Sequence, residues 1–306
     1  MRKKVIALAM IAAMVVSLTA CGGKNNDKQG KDSTESLKVA YQSGIAYAPI
    51  LVMKDQKLIE KNYDGNVDID WQLLSGGAAI SEGLTSNTVD VGAIGTGVAI
   101  TGAKAGAPYK IFAGMSSQPY RITTNKEEIK TLKDITKEDQ IAITGINSQP
   151  HIVLAMAAKA YLGDAHALDA NLVAQPNADG YTSLVSGAVQ CHMIMSPYCF
   201  MEQNKEGIHE IEVSEDVWPV GDTTIVGVAT DKLKEERPKL YEAVCKAMDE
   251  AIEFINDNPE KTADILKDYY DASQEEIVSW LTNDASVFST KLQGVMKLSD
   301  FMVEED

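Results

Sequence analysis

The sequence predicts an α/β protein of two related lobes, because one order of strand, loop and helix occurs twice along the chain. β-prone runs at 37–41 and 141–144 each precede a helical pattern, ILVMKDQKLIEK in the first copy and HIVLAMAAKAYL in the second. Proline suits the first helical turn, where an amide hydrogen has no intrahelical partner. A glycine after each strand and a proline before each helix recur at an offset of 101 residues, as Gly44 with Gly145 and Pro49 with Pro150.

The similarity continues further along the chain at an offset of 100 residues. In each copy a helix ends in a polar turn and leads into an apolar strand, VDVGAIG or VQCHMIM. Alternating strands and helices predict mostly parallel, mixed sheets with helices on both faces. The matching positions are Ala78, Leu84, Ser86, Val89 and Asp90 against Ala178, Leu184, Ser186, Val189 and Gln190.

The same elements predict where the lobes begin and end. The first part of lobe one covers 37–125, lobe two covers 126–221, and 222–306 return to lobe one as mainly helical chain. Strands at 121–124 and 223–230 are expected to cross between the lobes and to form a hinge. In the C-terminal part, apolar residues from Leu240 to Ile255 recur at helical spacing, and Ser273 with Glu276 predicts a capping box.

The composition and net charge disfavour some classes of binding partner. The chain holds 28 Lys and Arg against 44 Asp and Glu, a net charge of −16. So acidic a surface disfavours nucleic acid as a partner and keeps an exported protein well solvated. The sequence contains no HExxH or CxxC pattern and no complete phosphate-loop motif, so we predict no metal and no cofactor.

The N-terminus predicts export. Arg2, Lys3 and Lys4 precede an uncharged apolar run at 5–16, which is short for a membrane span. Leu18-Thr19-Ala20-Cys21 resembles a bacterial lipobox, which implies a signal peptide at 1–20, cleavage before Cys21, and lipid (palmitate among its acyl chains) on that cysteine. The alternative is a plain secretory signal with an incidental cysteine. Residues 22–36 contain no aliphatic or aromatic side chain, and 21–36 are predicted to be a flexible tether.

Three cysteines remain beyond Cys21. Their odd number predicts no closed disulfide framework, and three buried free thiols are expected. A bridge between Cys191 and Cys199 stays open, because spacing alone does not fix the distance between their Cβ atoms. The third is Cys245.

Several polar or glycine-rich turns predict a binding cleft. In open parallel sheets, ligands bind at the carboxyl ends of strands, where helix N-termini present free amides. One such turn is ordinary helix capping, whereas several from both lobes favour a cleft. Aromatic side chains nearby are suited to lining it, and Arg121 could pair with an anion or with a carboxylate. The turns are Ser43-Gly44, Ser75-Gly76-Gly77, Gly95-Thr96-Gly97, Asn147-Ser148-Gln149 and Asn177.

No convincing catalytic group accompanies these turns. Ser148 and His151 lie three residues apart, but no third group is positioned by the pattern to orient the imidazole. His151 is therefore expected at a cleft wall or on the surface, and we predict that the protein is not an enzyme.

Together these segments resemble the solute-binding lipoproteins of ABC importers, in the group that binds nitrate, sulfonates, taurine and thiamine pyrimidine precursors. The resemblance runs from Leu37 to about Ile265. It implies a two-lobed periplasmic-binding-protein type II fold that closes on a small molecule and delivers it to a permease and ATPase complex at the outer face of the cell membrane. The segments are VAYQSGIAYAPILVMKDQKLIEK, SGGAAISEGLTSNTVDVGAIGTGVAI, GAPYKIFAG, IAITGINSQPHIVLAMAAKAYLG and FINDNPEKTADILKDYY.

The resemblance and the turns together give a set of expected ligand contacts. A sulfonate-like organic anion is favoured as ligand; the alternatives are a neutral heteroaromatic solute, an exported enzyme or a ligand sensor on the same fold. Oligomeric state is not predicted. The contacts are Tyr41, Ser43, Gly44, Tyr47, Ser75, Gly76, Gly77, Thr96, Gly97, Gln118, Tyr120, Asn147, Ser148, His151, Tyr198 and Trp218.

Overall fold

A computed structural model describes residues 34–214 and 216–305. The predicted signal peptide, Cys21 and all but the last residues of the predicted tether lie outside the described residues. The first strands and helices alternate as expected. They are β1 (Glu35–Tyr41), α1 (Ala48–Asp55), α2 (Leu58–Asn62), β2 (Val67–Leu73), α3 (Gly77–Thr85), β3 (Val91–Gly95), α4 (Thr96–Lys104) and β4 (Tyr109–Ser117).

A second, shorter series of strands and helices follows, and a mainly helical C-terminal part completes the fold. The second series is β5 (Tyr120–Thr124), β6 (Ile141–Ile143), α5 (Gln149–Leu162), β7 (Leu172–Ala174), α6 (Asn177–Ser186), β8 (Cys191–Met195), α7 (Tyr198–Gln203) and β9 (His209–Ile211). The C-terminal part is β10 (Ile225–Thr230), α8 (Asp231–Glu236), α9 (Pro238–Asp257), α10 (Pro259–Leu266), α11 (Gln274–Leu281), β11 (Val287–Phe288) and α12 (Val295–Glu304).

The strands form two mixed sheets flanked by helices, which confirms the predicted fold class. The first sheet has the order β11-β4-β10-β3-β1-β2 and the second the order β7-β6-β8-β5-β9. Each contains three adjacent parallel strands, β2-β1-β3 or β7-β6-β8. The remaining pairs are antiparallel, so that four strands of each sheet share one direction.

The two sheets repeat one topology and exchange one strand. β10, from the C-terminal part, lies between β3 and β4 of the first sheet. β5, which directly follows β4, lies between β8 and β9 of the second sheet. The chain therefore passes between the sheets twice, and the strand at the centre of each exchange is antiparallel to both neighbours.

The first helix differs from the sequence prediction. The pattern ILVMKDQKLIEK predicts one helix, but α1 ends at Asp55 and α2 begins at Leu58. Between them Lys57 has a φ of 51°, in the left-handed region, which interrupts a right-handed helix. The break lets α1 and α2 pack separately against α9.

The C-terminal helices pack against the first sheet as their apolar pattern predicts. The stripe on α9 is buried, with Leu240, Val244 and Met248 each at most 1% exposed. At the start of α11 the Ser273 hydroxyl accepts a hydrogen bond of 3.2 Å from the Glu276 amide, and the Glu276 carboxylate accepts one of 2.8 Å from the Ser273 amide. These bonds confirm the capping box.

The cysteines beyond position 21 are all free. Cys191 and Cys199 are buried and unpaired, so no bridge joins them. Burial raises the pKa of the Cys191 thiol to about 11. Cys245 is only partly buried, so the expectation of three buried thiols is wrong for this one. Within 34–214 and 216–305, no helix is both long and apolar enough to cross a bilayer.

Candidate functional site

Direct hydrogen bonds join the two sheets at the loops that follow their strands. After β1, the Ser43 hydroxyl lies 3.2 Å from the Tyr198 hydroxyl at the start of α7. The Ser43 carbonyl accepts a bond of 3.1 Å from the side-chain amide of Asn177, at the start of α6. At the start of α4, the Gly97 amide donates over 2.5 Å to the side-chain oxygen of Gln149 on α5. The carboxyl ends of both sheets therefore meet across one cleft.

Two glycines allow this close approach. A Cβ atom on Gly97 would lie 2.2 Å from Ile152 Cδ1, and one on Gly95 would lie 2.8 Å from Gln149 Cβ. Both distances are shorter than van der Waals contact permits. Because Gln149 Cβ is fixed to the α5 backbone, a side chain at position 95 would push β3 and the start of α5 apart, and one at position 97 would displace the Ile152 side chain.

A central cavity of about 20 Å³ lies within the cleft. Tyr47 and Tyr120 line it together with Gln149 and Asn177, and none of the described residues in its lining is charged. A cavity of this size holds about one water molecule. A larger solute therefore fits only when the two sheets move apart.

Three buried polar atoms around this cavity have no hydrogen-bond partner in the described part of the chain. They are Gln149 Nε2, Asn177 Oδ1 and the Tyr120 hydroxyl. The amide orientations are fixed, because Gln149 Oε1 accepts from a backbone amide and Asn177 Nδ2 donates to a backbone carbonyl. The site thus offers one amide donor, one acceptor and one hydroxyl, at the starts of α5, α6 and β5, which all belong to the second sheet and its helices.

A second cavity, of about 40 Å³, lies where the chain crosses between the sheets. Gln118, Tyr120 and Trp218 line it, and the Tyr120 ring also borders the central cavity. The two aromatic rings meet edge to face with centroids 5.8 Å apart. Arg121 also lines this cavity and pairs with the Glu210 carboxylate over 2.9 Å, so the pairing with a carboxylate is the alternative that the structure shows. Burial raises the pKa of Glu210, and Arg121 opposes that rise.

A wider space opens on the other side of the central cavity. We call this space of about 700 Å³ the vestibule; α3, α4 and the loop at 144–148 line it. Gly77, Val98, Thr144 and Ser148 line both the vestibule and the central cavity. Gly76 borders the vestibule with no atom within 4 Å of where its Cβ would be.

Tyrosines surround the loop after β1. Tyr47 is 2% exposed, its hydroxyl accepts a bond of 2.7 Å from Gln42 Nε2, and burial raises its pKa well above the usual range. The Tyr198 ring lies 6.0 Å from that of Tyr181. Tyr270, which follows α10, lies beside the Gly44 backbone and near Tyr198, and burial strongly raises its pKa. Tyr270 is not among the contacts expected from the sequence, because nothing in a local pattern connects it to a loop more than two hundred residues earlier.

Other expected contacts have different surroundings. Thr96 is buried and donates over 2.5 Å to the Thr223 carbonyl, and Ser75 is exposed. Tyr41 is 5% exposed, near Tyr269, and lies outside the linings of the three cavities. Gln118 Oε1 accepts bonds from the hydroxyls of Ser196 and Ser286.

His151 and Asn147 contact each other rather than the central cavity. The Asn147 amide donates over 3.0 Å to His151 Nδ1, and Asn147 lines the vestibule. The Ser148 hydroxyl accepts a hydrogen bond of 3.4 Å from the His151 amide, as an N-cap does. Among the described residues no group of three or more His, Cys, Asp or Glu side chains is arranged to hold a metal ion.

Three solved structures of similar fold are distant from this chain in sequence. The aliphatic sulphonate binding protein SsuA of Escherichia coli is 21% identical, with a TM-score of 0.66 over 89% of this chain and 88% of its own. The alkanesulfonate-binding protein SsuA of Xanthomonas axonopodis pv. citri, bound to MOPS, is 16% identical, with a TM-score of 0.71 over 88% and 91%. The nitrate-binding protein NrtA of Synechocystis is 17% identical, with a TM-score of 0.65 over 80% and 69%.

These identities establish a shared fold and no more. A search of curated protein sequences found no significant match. The sequence model of the NMT1-like family matches residues 30–267, which is more than half of the chain. The protein therefore belongs to the NMT1-like family.

Proposed function

We propose that this protein is an extracytoplasmic solute-binding protein that captures a small molecule between its two sheets and delivers it to the permease of an ABC importer. The observation that carries this proposal is the central cavity, where Gln149, Asn177 and Tyr120 each present a buried polar atom that has no partner among the described residues. Leaving such atoms unpaired is costly, and a bound solute would supply the missing hydrogen bonds.

Closure of the cleft supplies the mechanism. Contacts to a solute that come from both sheets exist only when the sheets are close together, so binding shifts the population toward that closed form. The bonds from Gly97 to Gln149 and from Asn177 to Ser43 are further contacts of that form. A permease could then distinguish the loaded protein by its shape.

Two ligand classes fit different features of the site. A sulfonate-like organic anion, the class that the sequence favours, would be held without a cation by amides at helix N-termini such as that of α3, whose first residue is Gly77. A neutral heteroaromatic solute is the second candidate, and Asn177 Oδ1 is the observation that favours it. This atom can only accept, so it is matched by a ligand N–H or O–H and not by a sulfonate oxygen.

The site does not resemble a catalytic centre. The Ser148 hydroxyl caps α5 and His151 Nδ1 accepts from a backbone amide, so the two groups do not form a nucleophile and base pair. The proposal includes export and a lipid anchor at Cys21, which rest on the sequence at 1–21.

A thermal-shift screen tests the binding role and separates the ligand classes. The purified protein is heated with taurine, hexane-1-sulfonate, nitrate, hydroxymethylpyrimidine and thiamine. A ligand at about one hundred times its Kd adds about 2.7 kcal/mol of stability, which is a clear rise in Tm. A rise with sulfonates alone supports the anion, and a rise with the pyrimidine supports the second candidate. No rise across the panel would contradict both ligand classes.

Variants connect any such rise to the site. Asn177→Leu should remove the response to the pyrimidine, and Gln149→Leu should weaken either ligand, whereas Asn204→Leu at an exposed position is the matched control. Gly76→Leu should abolish binding and leave Tm of the free protein nearly unchanged, because no atom lies within 4 Å of its Cβ position. Unchanged affinity in Gly76→Leu, with normal circular dichroism, would remove the start of α3 from the site.

A further inference from the structure

His151 contacts the loop beside the central cavity and is not part of the cavity lining. Its Nδ1 atom accepts a hydrogen bond of 3.0 Å from the Asn147 amide, and its own amide donates over 3.4 Å to the Ser148 hydroxyl. Its side chain is 12% exposed. These two bonds connect the first turn of α5 to the loop at 144–148.

The conformation of that loop needs such support. Asn147 has a φ of 59°, in the left-handed region that residues other than glycine seldom adopt. Its neighbours Thr144 and Ser148 line both the central cavity and the vestibule. The group that holds the Asn147 amide therefore also fixes the loop that separates these two spaces.

The hydrogen bond to Asn147 determines the tautomer of His151. A backbone amide always donates, so Nδ1 carries no proton and the neutral ring carries its hydrogen on Nε2. Nε2 lies 3.5 Å from Asp169 Oδ1. The other oxygen of Asp169 lies 2.8 Å from His166 Nδ1, and this hydrogen bond raises the pKa of His166.

Further polar and charged groups face His166 and the end of α5. His166 also faces the Glu305 carbonyl, and the Asp164 carboxylate accepts from its amide. Lys159, further along α5, pairs with the Glu305 carboxylate over 2.9 Å.

We infer that His151 is a positioning residue of the proposed binding site, whose unprotonated Nδ1 holds the Asn147 amide and thereby holds the 144–148 loop beside the central cavity. Its importance for binding rests on the proposed function, whereas its hold on the loop does not.

Two variants of the full chain test the hold on the loop without any ligand. His151→Asn keeps an acceptor near the Nδ1 position but does not titrate, and His151→Leu has a similar size and no acceptor. Amide exchange measured by NMR should be about tenfold faster at Asn147 in His151→Leu and normal in His151→Asn, as expected for one lost hydrogen bond. Equal exchange in the wild type and His151→Leu, or a histidine ¹⁵N spectrum with the proton on Nδ1, would overturn the inference.

The effect on binding is measured by calorimetry with hexane-1-sulfonate and hydroxymethylpyrimidine as probes. His151→Asn should bind as tightly as the wild type, because it keeps an acceptor for the Asn147 amide. His151→Leu should bind about five- to tenfold more weakly. Equal affinity in the wild type and His151→Leu would contradict the inference. If neither probe binds the wild type, the two proposed ligand classes are wrong, and the amide-exchange result alone tests whether His151 holds the loop.

Discussion

At equivalent positions, the two sheets differ in which member of a packed strand and helix pair is glycine and which has the large side chain. In the first, Gly92 on β3 faces Ile80 on α3, and a Cβ on Gly92 would lie 2.7 Å from Ile80 Cγ2. One hundred residues later, His192 on β8 faces Gly180 on α6, where a Cβ would lie 2.5 Å from His192 Nε2. The large residue belongs to the helix in one sheet and to the strand in the other.

At a third pair of equivalent positions, the two sheets differ in chemistry as well as in side-chain size. Gly102 on α4 leaves room for Tyr109, whose hydroxyl lies 2.8 Å from the Ser81 hydroxyl. The equivalent residue on α7 is Glu202, fully buried, 2.5 Å from His192 Nδ1 and 2.6 Å from the Thr123 hydroxyl. One backbone arrangement thus accepts either a tyrosine packed against a glycine or a buried ionisable pair. The buried pair is tolerated in the folded state only when both of its side chains are present.

Removing Glu202 should have the largest effect on stability. Glu202→Ala leaves His192 Nδ1 buried without its partner and removes the shorter hydrogen bond of the Thr123 hydroxyl, which we expect to cost about 3–5 kcal/mol of the free energy of unfolding. Urea denaturation followed by circular dichroism measures it. Glu206→Ala, at an exposed position, should change stability by less than about 0.5 kcal/mol. A loss below about 1 kcal/mol in Glu202→Ala would show that the pair is not needed.

Asp139 should give the next largest effect, and one that depends on pH. Its carboxylate, 1% exposed, accepts from Lys126 Nζ over 2.5 Å and from the Thr136 amide over 2.8 Å. Burial by itself raises the pKa of Asp139, but Lys126 and Thr136 outweigh it, and the pKa is lowered. Asp139→Asn should cost about 1.5–3 kcal/mol at neutral pH, as expected for hydrogen bonds to a charged group.

The sign of the pH dependence follows from the lowered pKa. The carboxylate stabilises the folded state above the unfolded pKa of about 3.9, and this stability is lost as pH falls through the lower folded pKa. The difference between the wild type and Asp139→Asn should therefore shrink below about pH 4. Glu138→Gln, an exposed neighbour, is the control. A difference that stays constant down to that pH would contradict the role of the charge.

The size exchange itself is tested at Gly92. Gly92→Ala should cost about 1–3 kcal/mol, because its Cβ would overlap Ile80 and also lie 3.0 Å from Leu84 Cδ1. Ile80→Ala alone leaves a cavity, and in the double variant the new methyl group fills part of it. Chemical denaturation should show that the double variant loses less than the sum of the single losses. Strict additivity would mean that the two positions do not pack as a pair.

The sequence predicts the repeat, the fold class and the positions of most strands and helices because these follow from local patterns of apolar and turn residues. The offset of 100 residues even aligns Ile80 with Gly180, yet it does not predict which partner is large, since that depends on contacts across the sheet. Likewise Gln149 and Asn177 stand out in sequence only as turn residues. That each leaves one polar atom facing the central cavity follows from their bonds to Gly97 and Ser43, which come from the other half of the chain.

The smallest effect on stability is expected at the starts of β3 and β8, where a charged side chain in one sheet and a neutral one in the other accept from the neighbouring strand. At the start of β3, the Asp90 carboxylate accepts from the Lys38 amide over 2.9 Å and pairs with Arg237. At the start of β8, the neutral side chain of Gln190 accepts from the Gln140 amide, also over 2.9 Å. A charge is therefore not required to hold the neighbouring strand. Asp90→Asn keeps an acceptor and loses only the attraction to Arg237, which we expect to cost about 1 kcal/mol or less.

Salt separates the two contributions at this position. The attraction between Asp90 and Arg237, each partly exposed, should weaken between about 0.1 M and about 1 M sodium chloride, so the cost of Asp90→Asn should fall. The cost of Gln190→Ala should not change with salt, because no charge is removed. Urea denaturation at both salt concentrations makes the comparison. A cost of Asp90→Asn that is equal at both would mean that the hydrogen bond to Lys38, and not the ion pair, makes the contribution of Asp90, and the two strand starts would then be held in the same way.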